Sequence, residues 1–442
     1  MGKKRLVIIL FLAISLVLYA QQREIEFEEY DLDNGLHVIL HQDDSTPIVA
    51  VSVFYHVGSK NEKPDRTGFA HFFEHLMFEG SKYIPTGEYH NIVSSNGGTN
   101  NATTDFDRTY YYEILPSNQL ALGLWLESER MLHLKIDSAG VETQRKVVKE
   151  ERKQRLDNQP YGSLLEETFK HAYTKHPYHW TPIGSNQYID KATIDEFMKF
   201  YKHYYVPNNA VLTISGDIDI NKAKKLVKEY FSDIPRGTEK ITYPDIIEPR
   251  KTAEVRDTVY DNIQLPMVLM SYQIPKKTDP QSYAIDMLTT LLSGGQSARI
   301  YKELVDKQQK AVFAGSVPLA LEDSGQFIVY AIANMGVPAD ELEKSLQEQI
   351  DKVKTKLISE REFKKLQNQI ETRITNSNST DAGLAAALPA YHVFYGNTNE
   401  INHELEKYMA VTREDIKDVA DKFLKNNERV VLYYLPKSEE KK

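Results

Sequence analysis

The order of elements on either side of one Pro- and Gly-bearing stretch constrains this chain most. Ile234 to Arg250 contains Pro235, Gly237, Pro244 and Pro249, which marks it as a linker. Before it, residues 28–42 alternate apolar and polar around Asn34-Gly35, a hairpin pattern. Pro47 to Val57 is β-branched and aromatic and predicts a strand. Helical periodicity follows over 68–79, 87–95 and 117–135, with strand-like alternation from Thr99 to Leu115. Helices over 138–157, 160–172 and near 192–203 lead to a strand at 210–215. Beyond the linker the order restarts. A strand ending at Ile274 leads to a helix at 282–293, a Gly-Gly turn and a further helix. Strands at 311–317 and 326–333, helices at 339–357 and 360–376, and a last strand from Arg429 complete the half. Both halves therefore run strand, helices, strand, helices, strand. Such a repeat implies an old duplication, although residue identity between the halves is weak. A length of 442 residues suits two domains of about 200 residues each. The expected division is 21–235, a linker at 236–250, and 251–438.

Charge and targeting signals narrow the setting. The formal net charge is −9 and no basic run stands out, which argues against a nucleic-acid partner. Lys3-Lys4-Arg5 precede an apolar run from Leu6 to Tyr19, too short to span a membrane comfortably. Residues 1–20 read as a signal peptide with cleavage near Ala20, or as an anchor if uncut. Export is expected, with the bacterial periplasm as the destination. The chain has no Cys, so disulfides and Cys lipidation are excluded. A chain with a large core needs neither.

The chemistry concentrates in His71-Phe72-Phe73-Glu74-His75. The segment falls in a predicted helix, with Thr67 as its expected N-cap. Residues four apart share a helical face, so His71 and His75 can reach one ion. Glu74, three residues after His71, shares that face, where a carboxylate can take a proton from metal-bound water. Neutral imidazoles suit zinc, which needs one open position for catalysis. Two His residues four apart are usually uninformative. Here Phe72, Phe73, Leu76, Met77 and Phe78 make the helix apolar, so three polar groups require satisfaction inside a core. A shared metal satisfies them together. H-x-x-E-H is the inverted-zincin pattern.

A third ligand must come from another element. The helix bearing Val147-Val148-Lys149-Glu150-Glu151 offers two carboxylates. Glu151 follows Val147 and Val148 by four and three residues and can border the apolar face. Glu150 remains an alternative, and a solvated charged face is the bland reading of both.

With these motifs in hand, the chain resembles the pitrilysin/insulinase family of zinc metallopeptidases, in its mitochondrial-processing-peptidase-like branch. The resemblance runs through Thr67 to Gly80, Gly98-Thr99-Asn100-Asn101-Ala102, Val147 to Arg152, His176-Pro177-Tyr178, Gly184, and the run from Tyr205 to Asp217. It implies an α+β fold of two similar domains, each an antiparallel-rich sheet packed with helices. It implies zinc, one ion per chain, held by His71, His75 and Glu151, with Glu74 as general base. It makes Gly98, Thr99, Asn100, Asn101 and Ala102 an edge strand to which an extended peptide adds as a further strand. For Asn100 and Asn101, a simple turn before a strand competes with that reading.

Two departures from the family pattern bear on function. Gln144, seven residues before Glu151, stands where members often carry a Glu that supports the metal ligands from behind. Val305 and Val312 stand where the family carries an Arg and a Tyr that bind substrate and stabilise the oxyanion. Arg299 is nearby but matches a different family position. A complete metal site without that pair resembles the catalytic subunit of heterodimeric members, whose metal-free partner supplies it. The expected protein is thus a secreted endopeptidase paired with a related subunit. A homodimer is the alternative assembly, and a non-catalytic chamber subunit is the alternative function.

Overall fold

The computed structural model describes residues 24–437. The expected signal segment, 1–20, lies outside them. In the first half, strands β1 (Glu28–Asp31), β2 (His37–Gln42), β3 (Ile48–Tyr55), β4 (Thr99–Thr104), β5 (Thr109–Pro116) and β6 (Ala210–Gly216) form one sheet. Its helices are α1 (Phe69–Leu76), α2 (Tyr89–Ser95), α3 (Leu120–His133), α4 (Ser138–Arg152), α5 (Leu164–Ala172), α6 (Asn186–Lys191), α7 (Ile194–Tyr204) and α8 (Ile220–Phe231). In the second half, β7 (Val255–Asp261), β8 (Met267–Ile274), β9 (Ala311–Leu319), β10 (Gly325–Ala333) and β11 (Arg429–Pro436) form the other sheet. Its helices are α9 (Gln281–Ser293), α10 (Ala339–Thr355), α11 (Glu360–Ser377), α12 (Asp381–Ala390), α13 (Glu400–Ala410) and α14 (Arg413–Phe423).

The two sheets share one topology. The first runs β1-β2-β6-β3-β5-β4 and the second β7-β11-β8-β10-β9. In each, the last strand of the half inserts beside the first main strand. It pairs parallel to that strand, β6 with β2 and β11 with β7, and antiparallel to the next, β3 or β8. The remaining pairs are antiparallel. This correspondence gives the repeat inferred from element order a structural form. The fold is α+β in two similar halves, and β4 and β9 are its matching edge strands.

Each sheet buries both faces, which explains why central strands such as β3 read as nearly continuous apolar runs. One face packs on helices of its own half. The other takes a helix from the opposite half. Leu384 and Leu388 of α12 are buried against Ile39, Phe54 and Val211 of the first sheet. Phe169 of α5 is buried with Leu269, Ile328 and Leu432 of the second. The halves thus interlock by exchanging helices. Polar contacts reinforce the junction. Lys60, 1% exposed, bridges Asp107, Glu322 and Asp323 at 3.1, 2.6 and 3.1 Å. The connecting segment is fastened too. The Glu248 carboxylate accepts the backbone N–H groups of Thr174, Lys175 and His176 at 2.9, 2.8 and 2.9 Å.

Two elements differ from their sequence-based expectation. Thr99 to Leu115 is a hairpin, because Asp105 Oδ1 accepts the N–H groups of Asp107 and Arg108 (2.7 and 2.8 Å) and turns the chain. The helix expected over 138–157 ends at Arg152 and continues as a π-helical turn, Lys153–Asp157.

Candidate metal centre

Helix α1 is built to present two imidazoles. Phe69, Phe72, Phe73 and Leu76 are buried, and Phe69, Phe72 and Phe73 pack their rings against Phe197 of α7. That anchorage turns His71 and His75 the other way. Thr67 does not cap the helix. The first turn begins at Gly68, and Glu62 takes the capping role, its carboxylate accepting Gly68 N–H at 2.9 Å and Ala70 N–H at 2.8 Å. Burial pushes the Glu62 carboxyl up to about 8 against the pull of these donors. Gly68 has φ +97°, and a Cβ there would sit 3.0 Å from the Ile183 carbonyl oxygen. The absence of a side chain lets the 181–184 loop close on the helix start.

Helix α4 brings the carboxylate. Asp137 caps it by accepting Gly140 N–H at 2.9 Å. Val141 and Val148 are buried, and Glu151 continues their face, 15% exposed. Glu150 points away, 56% exposed, with Lys153 and Gln154 as its partners. The choice left open by helix periodicity therefore falls to Glu151 on geometry.

The three donors form a compact triangle. His71 Nε2 and His75 Nε2 are 3.4 Å apart. Glu151 Oε2 is 3.5 Å from the first and 2.9 Å from the second. Tetrahedral donors about 2.0–2.1 Å from zinc are separated by about 3.3 Å, so the triangle fits such an ion. Glu151 Oε2 is buried without a conventional hydrogen bond, which an ion would satisfy. Burial alone would raise the Glu151 carboxyl, but the facing imidazoles hold it well below the usual carboxylate range.

A cavity of about 540 Å³ opens over this triangle. Glu74 lines it with the three donors, and Asn101 to Thr104 of β4 form one wall. Asp105 N–H donates to Arg108 O at 2.9 Å. By alternation Thr103, Asn101 and Thr99 face β5, while Asn100, Ala102 and Thr104 turn their backbone groups to the free edge. Of the expected strand residues, Asn101 and Ala102 line the cavity. Gly98, Thr99 and Asn100 do not, and Asn100 instead bonds His90 Nδ1 at 2.9 Å.

Other expected positions lie further off. Gln144 Nε2 donates to Glu79 Oε2 at 2.5 Å and reaches none of the three donors. Its Oε1 is buried without a partner. Val305 packs half-buried against the second core, and Val312 is 47% exposed on β9. Neither lines the cavity. Arg299 is paired with Glu362 at 3.0 and 3.1 Å.

Arg155 was missed by sequence reasoning. It lines the cavity, 74% exposed, and binds the other oxygen of Glu151, Oε1, at 2.8 Å. Its signal was present, since Glu151 and Arg155 are four apart and of opposite charge. The Thr181-Pro182-Ile183 wall gave no signal beyond its Pro.

Comparison with known proteins shows the family of the chain. Residues 37–181 match the family described as insulinase (peptidase family M16), and residues 191–370 match the domain described as peptidase M16 inactive domain. A relative from Helicobacter pylori, named zinc protease PqqE, is 32% identical over 432 residues, 97% of this chain and 97% of its own. The crystal structure of a protease from Helicobacter pylori superposes with TM-score 0.90 at 31% identity, over 94% of this chain and 100% of that one. The periplasmic protease PqqL from Escherichia coli has the same fold, with TM-score 0.76 at 20% identity, over 94% of this chain and 48% of its own. The chain belongs to the insulinase, or pitrilysin, family of zinc metallopeptidases, peptidase family M16.

Proposed function

We propose that this protein is an exported zinc-dependent endopeptidase that cleaves extended peptides. The observation that carries the reading is the His71, His75 and Glu151 triangle, with Glu74 beside it, in one cavity walled by a free strand edge. One zinc ion is assigned to this triangle. Bound zinc supplies Lewis acidity toward a peptide carbonyl and makes water a stronger acid. The outward backbone groups of Asn100, Ala102 and Thr104 hold the peptide as an added strand once Ala102 N–H gives up its local bond to Asn101 Oδ1, a mode that reads backbone more than sequence. Glu74 takes the proton of the attacking water and delivers it to the leaving amine. Zinc binding should survive Glu74→Gln while hydrolysis falls by about 10²–10⁴-fold. Undiminished hydrolysis in that variant would remove Glu74 from the mechanism.

Val305 and Val312 supply no hydrogen-bond donor from their side chains and lie outside the cavity. We assign the missing oxyanion donors to a related, metal-free partner subunit carrying an Arg/Tyr pair. The purified chain alone is then weakly active, and full activity as a homodimer would count against the partner. The same observation favours the rival reading, a non-catalytic chamber subunit that binds peptides. Peptide binding without turnover, even beside the partner, would select that rival. The basic start and apolar run of residues 3–19 support export to the periplasm. Fractionation of the expressing cell, with the mature N-terminus determined, tests it.

A further inference from the structure

The cavity over the metal triangle holds one basic side chain whose charge nothing else in it cancels. Among the described residues that line it, Arg155 is the sole Lys or Arg, and the acids are Glu74, Glu151 and Glu166. Glu166 is neutralised by Arg152, whose Nη2 donates to its Oε2 at 2.8 Å. Glu74 and Glu151 together balance a divalent ion on the triangle. Arg155 then remains as net positive charge, in a chain whose formal charge is −9. A cleft with one uncompensated sign of charge favours the opposite sign in what enters it.

The guanidinium has room for a second partner. Its Nη1 lies 2.8 Å from Glu151 Oε1 while 74% of the side chain stays exposed. Nε and Nη2 have no partner among the described residues, and that edge of the fork matches a carboxylate with two parallel bonds. The backbone beneath it is held in place. Arg155 sits on the π-helical turn Lys153–Asp157, and such turns are frequent at functional sites. A Cβ at Gly162 would collide with the Leu156 carbonyl, so a glycine there lets the chain fold back over the turn. The preceding residue, Tyr161, has φ +60°, which is costly for a bulky side chain. Two bonds to the second half keep it there. Tyr161 N–H donates to Asp261 Oδ2 at 2.9 Å, and its hydroxyl donates to the Leu265 carbonyl at 2.7 Å.

We propose that Arg155 is a specificity-determining residue that receives a substrate carboxylate beside the scissile bond, so that acidic peptides are favoured. The proposal rests on the peptidase reading and narrows the substrate class within it. Arg155 faces one oxygen of Glu151 and the two imidazoles face the other, so the guanidinium stands one carboxylate width from the donor triangle. Two residues of an extended strand span about 7 Å. The carboxylate that Arg155 holds therefore lies within two residues of the cleaved bond, as an Asp or Glu side chain or as the C-terminus of a short peptide. The plainer reading, that Arg155 serves only to orient Glu151, predicts no such preference.

The test compares internally quenched peptides that differ only by Glu against Gln, placed in turn at the two positions on each side of the cleaved bond. In the wild type kcat/KM should favour Glu by about tenfold at one of them, the low end for a hydrogen bond to a charged group because the site is exposed. Arg155→Gln should bring that ratio to one, and Arg155→Glu should favour Lys there instead. Each ratio compares two peptides on the same enzyme, so any weakening of zinc binding in the variants cancels. Peptides with a free or an amidated C-terminus separate the two carboxylate sources. A tenfold advantage of the free terminus, abolished by Arg155→Gln, assigns Arg155 to a terminal carboxylate. Equal turnover within every pair by the wild type, or a preference that survives Arg155→Gln, would overturn the proposal. Peptide affinity of Glu74→Gln, with and without Arg155→Gln, decides the matter apart from turnover. Glu-over-Gln binding that depends on Arg155, without hydrolysis by the wild type, would sink the peptidase reading and leave the carboxylate site standing.

Discussion

At the residue scale, the centre depends on one oxygen of Glu151 facing two imidazoles while the other is held elsewhere. Arg155 holds that other oxygen. Hydrogen-bonded ligands are better oriented, and loss of such support typically costs 10–100-fold in metal affinity. Arg155 is largely exposed, so the lower end applies. Arg155→Ala should weaken zinc binding about tenfold in a chelator competition. Tighter binding would show instead that the guanidinium charge opposes the ion. His71, Glu74 and His75 were legible in sequence because helix spacing is local. Helix spacing alone left Glu151 as one of two candidates, since a charged helix end tolerates either rotation, and the family resemblance is what singled it out. Burial of Val141 and Val148 decides between them, and that is tertiary information. Gln144 shows the opposite limit: its spacing put it beside the ligands, but its side chain serves Glu79.

At the scale of elements, β4 carries the substrate argument. Its outward groups include Ala102 N–H, which Asn101 Oδ1 now accepts at 2.9 Å. Proline is tolerated on an edge strand where the N–H faces out. Ala102→Pro should therefore fold and keep its zinc, yet raise KM for extended peptides by removing one strand-addition donor. An unchanged KM would mean that peptides do not add along β4. The strand itself was legible, but the hairpin was not, because the alternation continues across Asp105 to Arg108 on both sides of the turn. The Asp105-Phe106-Asp107-Arg108 run contains the Asx-turn chemistry that makes it. The start of α1 misled for a different reason. Thr67 is a good capping type, but the buried Glu62 carboxylate occupies the helix N-terminus first.

At the scale of the molecule, the halves are joined by exchanged helices and by a buried charge network. Element order revealed the repeat, but α5 and α12 crossing to the opposite sheet left no sequence mark. Amphipathic periodicity says that a helix has a partner, not which half supplies it. The network gives the junction a pH dependence. Burial alone would raise the Asp323 carboxyl, but His176 and Lys60 hold it down at about 2. Its unfolded value is about 3.9, so its contribution to stability is complete above that value and is lost as pH falls toward 2. With Asp323 partly exposed, about 1–2 kcal/mol is at stake. Asp323→Asn should be less stable than wild type in urea at neutral pH, and the gap should close as pH falls from about 4 to 2. A gap independent of pH would remove Asp323's charge from the junction.

The claim on which the rest depends is that His71, His75 and Glu151 together hold zinc. Elemental analysis of the purified protein beside Glu151→Gln tests it most directly. The account predicts one zinc fewer per chain in the variant, with the fold retained. Equal zinc in both proteins would contradict it and return Glu150 as the candidate third ligand.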